Sequence, residues 1–152
     1  TNLTSVFRLS RAVLRPMMRR DRASSALGMR VEVDEPGRAV VSMTVRDDML
    51  NGFDITHGGL VFALADTAFA IVCNEDEQVT VAAGADITFL KSTHEGQVLT
   101  ATGARRARNG RTGLYDITVT DETGDVVAEF RGRSLTTNRP FPQAGSETEE
   151  DA

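Results

Sequence analysis

Residues 57–74 read His-Gly-Gly-Leu-Val-Phe-Ala-Leu-Ala-Asp-Thr-Ala-Phe-Ala-Ile-Val-Cys-Asn. This stretch is rich in Ala, Leu and Phe and has no polar face. A helix that is apolar almost all round is buried on all sides. The remainder of the chain must therefore supply a wrap for one long helix, and that requirement limits the folds open to it.

The flanking segments have the character of such a wrap. Residues 29–35 and 38–45 alternate apolar and polar side chains around Pro36-Gly37, the pattern of a β-hairpin. Residues 47–56 are mixed in polarity, carry the turn signal Asn51-Gly52, and read as a loop. Four more strands are predicted over 78–90, 97–108, 112–120 and 126–136, with turns at Asn109-Gly110 and 121–124. The connections between these last strands are hairpin-length, which disfavours a parallel sheet with crossover helices. The expectation is an α+β domain, one antiparallel sheet wrapped around one central helix.

The ends differ from this core. Over 4–20, Val6, Leu9, Val13 and Met17 share one helical face, and Arg8, Arg11, Arg15 and Arg19 lie on the other. Pro16 would kink that helix or start a second. A short helix over 21–27 is expected, capped by Asp21 and stopped by Gly28. Beyond Asn138 the chain turns to Pro, Gly and Glu and reads as a disordered acidic tail. The expected organisation is a helical segment over 1–28, the folded domain over 29–138 and the tail over 139–152.

A chain of 152 residues fits one domain. Its net charge of −5 argues against a nucleic-acid binder. The single cysteine, Cys73, cannot form an internal disulfide and is read as a small buried hydrophobe. No apolar run is long enough to span a membrane, and a cytoplasmic location is the default expectation. Two histidines and one cysteine, widely spaced, make no recognisable metal site. There is no Gly-x-Ser-x-Gly elbow, phosphate loop or dinucleotide fingerprint.

Asp66 is the residue with chemical content. A carboxylate inside an apolar helix is costly unless it is paired, hydrogen-bonded or facing a cavity. Burial would raise its pKa, which suits a general base; a structural carboxylate pairing with an arginine is the competing reading. His57-Gly58-Gly59 opens the same helix, where free N–H groups could polarise a carbonyl oxygen. At about 100° and 1.5 Å per residue, His57 and Asp66 stand half a turn out of phase and roughly 13 Å apart. If both serve one reaction centre, they must come from different chains, so an enzyme of this kind is expected to be an oligomer. Asn51, in the loop before the helix, offers an amide for a water or a substrate oxygen. His94, in a polar turn, is expected to be solvated. Arg105, Arg106, Arg108 and Arg111 crowd the Asn109-Gly110 turn. They could bind phosphates, joined by Lys91, Arg131 and Arg133, if they are more than a solvated hairpin tip.

Several stretches together resemble a known family. Met49-Leu50-Asn51-Gly52, His57-Gly58-Gly59-Leu60 and Leu64-Ala65-Asp66-Thr67-Ala68-Phe69-Ala70 are similar to the hotdog-fold thioesterases of phenylacetic acid degradation, the PaaI type. Ile87-Thr88-Phe89-Leu90-Lys91, Thr112-Gly113-Leu114-Tyr115-Asp116-Ile117 and Phe130-Arg131-Gly132-Arg133-Ser134 follow in the same order. The resemblance covers most of the domain, from about Ala26 to Ser134.

The resemblance implies a hotdog fold, dimers pairing into a tetramer, and sites at the dimer interface. It implies hydrolysis of an aryl-acetyl-CoA, such as phenylacetyl- or hydroxyphenylacetyl-CoA, with no metal or bound cofactor. Asp66 would be general base or nucleophile. Gly58 N–H would hold the thioester oxygen, and His57 and Asn51 of the facing subunit would orient thioester or water. Thr67 and Gly59 would assist, Phe62 and Leu64 would line the acyl pocket, and Lys91, Arg106, Arg108 and Arg111 would take nucleotide phosphates. Relatives with a hydroxyl near the position of Ala82 or Ala83 use it to place water, and this chain has none there. No Glu occurs over 58–73, which excludes another hotdog branch. The alternatives are a broad-specificity medium-chain or aromatic acyl-CoA thioesterase, a noncatalytic acyl-CoA sensor, and a hydratase.

Overall fold

The computed structural model describes residues 17–141. After a helical turn over 17–20, helix α1 spans Arg22–Ala26. Strands β1 (Arg30–Glu35) and β2 (Arg38–Thr44) follow, then a 3-10 turn at Asp47–Met49 and the long helix α2 (Gly58–Cys73). Four strands complete the chain: β3 (Gln78–Phe89), β4 (Val98–Asn109), β5 (Thr112–Thr120) and β6 (Val126–Pro140). The bulk of the expected 4–20 helix and of the acidic tail lies outside the described residues. Asp21 caps α1 as expected, accepting from Ser24 N–H at 2.9 Å, and Gly28 ends it at φ +67°.

All six strands form one antiparallel sheet in the order β1-β2-β4-β5-β6-β3. The α+β expectation and its central helix are therefore met. The β1–β2 hairpin turns at Gly37 (φ +74°) and the β4–β5 hairpin at Gly110 (φ +60°), left-handed positions that favour glycine. Strand β6 runs past the expected end at Thr136 and on to Pro140, which lies opposite Gln78 of β3.

Helix α2 lies in the curved face of the sheet. Leu64, Ala65, Ala68, Phe69 and Val72 pack against Val41, Met43, Leu99, Ala101, Ile117 and Phe130 in one core. Each large side chain buried there contributes about 1.5–3 kcal/mol. Gly132 lets the helix come close: a Cβ at that position would sit 2.7 Å from the Phe69 ring.

The expectation that α2 is buried on all sides does not hold. Phe62, Ala63, Asp66 and Ala70, which share one side of the helix, are partly exposed, and Gly59 is exposed. The sheet curls round the helix but does not close over that side. Strand β3 borders it as an edge strand, with Val81, Ala82, Ala83 and Phe89 exposed.

Candidate active site

The entrance to α2 is built by the loop between the 3-10 turn and the helix. Asn51 organises it. Its side-chain oxygen accepts from Phe53 N–H at 2.9 Å and Ile55 N–H at 3.4 Å, and its backbone N–H donates to the Ile55 carbonyl at 2.8 Å. Asp54 completes the turn at φ +59°, a conformation that Asn and Asp tolerate better than most side chains. Asn51 therefore keeps only its NH2 group for other work. Thr56 N–H donates to the Thr93 carbonyl at 2.8 Å, and the Thr93 hydroxyl donates to that of Thr56 at 2.7 Å. These bonds stitch the loop to the segment that follows β3.

His57 is the N-cap of α2. Its Nδ1 accepts from Gly59 N–H at 2.9 Å, so the neutral ring carries its proton on Nε2, at the exposed edge. Gly58 N–H, next to the cap, has no acceptor among the described residues. Gly58 lines a cavity of about 220 Å³. Ile55, Gly58 and Val61 line one wall, and Phe89, Leu90 and Thr93 the other. A helix N-terminus with a spare N–H favours a ligand oxygen carrying partial negative charge.

Asp66 lies two turns further along, on the open side of α2. Its carboxylate is half-buried, has no partner among the described residues, and is pushed up from the ordinary carboxylate range by burial. An unpaired, desolvated carboxylate costs stability and marks a functional position. Its charge also reaches Cys73, whose thiol is pushed up to about 12, chiefly by its own burial and further by Asp66 and Glu75. Gly58 and Asp66 of one chain are separated by about 12 Å of helix rise. They cannot address the same carbonyl within one subunit.

The other expected site residues are scattered. Gly59 is at the helix entrance, its N–H used by His57. Phe62 is on the open side, edge-to-face with Phe130 at 5.2 Å. Leu64 is 0% exposed and belongs to the core, so it lines no acyl pocket. Thr67 points to α1: its hydroxyl donates to the Ala63 carbonyl at 2.9 Å and lies 3.1 Å from that of Ser24. Lys91 borders the cavity, but its ammonium is held by Asp121 at 2.6 Å and Asp125 at 2.7 Å in the β5–β6 turn. That turn is at the opposite end of the sheet from the arginine-bearing β4–β5 turn, so Lys91 joins no phosphate patch there.

The arginines of β4–β6 differ in their ion pairs. Arg105 pairs with Glu75 and Arg108 with Asp76, just beyond the C-terminal end of α2. Arg131 pairs with Asp116 and Arg133 with Asp86 on the outer face. Arg106 and Arg111 have no ion pair among the described residues. No group of three or more His, Cys, Asp and Glu among the described residues converges as metal ligands would, and no described helix is long and apolar enough to cross a membrane.

Nothing in the sequence singles out Phe89, Leu90 and Thr93 as cavity residues. Their signal was local: an apolar pair closing a strand, directly before a polar turn. That pattern is common to strand ends and does not point to a cavity.

Comparison with known proteins fits this geometry. Residues 53–128 match the family model of the thioesterase superfamily. The acyl-coenzyme A thioesterase PaaI of Escherichia coli is 43% identical over 118 residues, covering 78% of this chain and 84% of that one. The solved structure of the E. coli PaaI protein superposes with a TM-score of 0.86 at 37% identity, over 90% of this chain and 99% of that one. A Streptococcus mutans protein solved bound to acetyl CoA superposes with a TM-score of 0.70 at 27% identity, over 74% of this chain and 90% of that one. The chain thus belongs to the thioesterase superfamily, as a hotdog-fold thioester hydrolase of the PaaI type.

Proposed function

We propose that the chain hydrolyses acyl-CoA thioesters and that aryl-acetyl-CoA, in the degradation of aromatic acids, is its substrate class. One observation carries the reading: Gly58, whose N–H has no acceptor among the described residues, lines a cavity, while the half-buried carboxylate of Asp66, without a partner among the described residues, stands on the open side of the same helix. The thioester carbonyl accepts from Gly58 N–H. Asp66 of the partner subunit takes a proton from water, whose oxygen attacks the carbonyl carbon. The C–S bond then breaks, the thiolate leaves and is protonated, and free acid and CoA are released. Direct attack by the Asp66 carboxylate, through a mixed anhydride, uses the same placement. Single-turnover hydrolysis in 18O-water is informative in one direction: an unlabelled first product, with the label in the Asp66 carboxyl group, shows an anhydride opened by water at the Asp66 carbon.

The assembly completes the site. The free edge of β3 and the uncovered side of α2 support pairing of two subunits there, and a dimer of dimers follows from the family resemblance. His57 Nε2–H and the Asn51 amide are donors for a thioester oxygen or water. Arg106 and Arg111 keep their guanidinium groups for the CoA phosphates. The acetyl CoA held by the S. mutans neighbour supports a CoA ester as ligand.

The test is thiol release from phenylacetyl-, hydroxyphenylacetyl-, benzoyl- and medium-chain acyl-CoA. Aryl-acetyl esters are expected to be the best substrates, and turnover is expected to collapse in Asp66→Asn with the assembly intact. Undiminished turnover in that variant overturns the role of Asp66. CoA binding without turnover of any ester points instead to the sensor.

A further inference from the structure

Three large apolar side chains are the most exposed of the described molecule. Phe53 is 86% exposed, Leu90 60% and Phe89 52%. Phe89 and Leu90 line the cavity beside Gly58, and Phe53 rides on the loop that leads into it. That loop is not slack. Each backbone N–H from Phe53 to His57 is bonded: Phe53 and Ile55 to the Asn51 side chain, Asp54 to the Asn51 carbonyl, Thr56 to Thr93 and His57 to Met49. His94 Nδ1 lies 3.4 Å from the Asp54 carbonyl and adds a further tie. A phenyl ring held in water by a fully bonded loop forgoes burial that a looser loop would have let it recover.

We infer that Phe53 is a specificity-determining residue, whose ring packs on the aryl ring of the acyl group bound beside Gly58. The inference rests on the thioesterase reading and deepens it. Two phenyl rings and a leucine offer apolar area and ring faces. The polar residues Ser92 and Thr93 line the same cavity beside them. Aromatic pairs gain from edge-to-face and offset stacking beyond the area they bury, so a fixed phenyl favours aryl over alkyl acyl groups.

The experiment compares wild type, Phe53→Ala and Phe53→Leu for kcat/KM on phenylacetyl-CoA and octanoyl-CoA. The phenylacetyl-to-octanoyl ratio is expected to fall about fivefold to tenfold in Phe53→Ala. Phe53→Leu, which keeps apolar bulk but no ring, should lower the phenylacetyl-to-octanoyl ratio in the same direction. Titration of the corresponding non-hydrolysable thioethers reads the same ratio as Kd, independently of turnover. An unchanged ratio overturns the inference. So does an equal rise in KM for both esters, which would place Phe53 on the CoA moiety, or loss of the oligomer in gel filtration, which would make it a subunit contact. Absence of turnover in wild type counts against the thioesterase reading, while the thioether ratio still decides the role of Phe53.

Discussion

The two sides of α2 have nearly the same composition and opposite fates. On the sheet side, Leu64, Ala65, Ala68 and Phe69 are closed off from water. On the other, Gly59, Phe62, Ala63, Asp66 and Ala70 remain at least partly open. Alanine and phenylalanine occur on both. An apolar residue therefore does not by itself say which partner covers it, and one carboxylate distinguishes the two sides better than the overall hydropathy does. If the open side is the proposed subunit face, α2 is apolar all round for two separate reasons.

The comparison can be broken by placing the same charge on each side. Ala68→Glu buries an unpaired carboxylate in the core, at a cost of several kcal/mol, and should leave little folded protein by circular dichroism. Ala70→Glu should fold and should run as a smaller species in gel filtration. If both variants fold, or both fail, the two sides are not distinct.

Asp66→Asn separates function from stability on the open side. Thiol release should fall by about 10²–10⁴-fold, the usual contribution of a positioned general base. Thermal unfolding at pH 7 should occur at the same or a higher temperature. Burial raises the folded-state pKa of this carboxyl above its unfolded value. Its stabilising contribution is thus complete below the unfolded pKa and is lost as pH rises through the folded one, so at pH 7 the ionised group is a burden that asparagine removes. A lowered unfolding temperature would mean that Asp66 has a structural partner.

On the sheet side, Gly132→Ala drives a methyl group to 2.7 Å from the Phe69 ring. Overpacking of this kind costs about 1–3 kcal/mol. Denaturant unfolding should show the loss, while kcat per folded molecule stays near wild type. The smallest effect is in the pH profile. The acid limb of kcat/KM should lie above the ordinary aspartate range, because the ionised base is the active form and burial resists its ionisation. A limb at the ordinary value would show that the carboxylate is solvated in the working enzyme.

Much of the fold was legible because its signals are local. Pro36-Gly37 and Asn109-Gly110 mark their hairpins, Asp21 and Gly28 bracket α1, and the 57–74 run announces the helix. What escaped was set by residues distant in sequence. Lys91 is claimed by Asp121 and Asp125, and Thr67 by Ser24 across 43 positions. Neither pairing leaves a trace in the residues nearby. Asn51 shows the overlap of the two levels: the Asn-Gly turn was visible, but only the structure shows that the turn takes its oxygen and leaves its amide. Phe53 shows the converse, since a phenylalanine in a loop carries no sign that it will be held outside.

At the entrance to α2 the histidine cap has a consequence for the whole assembly. With Nδ1 occupied, His57 can only donate, like Gly58 N–H and the remaining Asn51 amide, whereas Asp66, two turns away, is an acceptor without a partner among the described residues. Under the proposed roles, each chain carries two half-sites of opposite hydrogen-bond polarity, too far apart to work together. Under the proposed division of roles, subunits disabled in one half can rescue subunits disabled in the other. Mixing Asp66→Asn chains with Asn51→Asp chains should restore activity, because each mixed pair contains one cleft with both halves intact and one with neither.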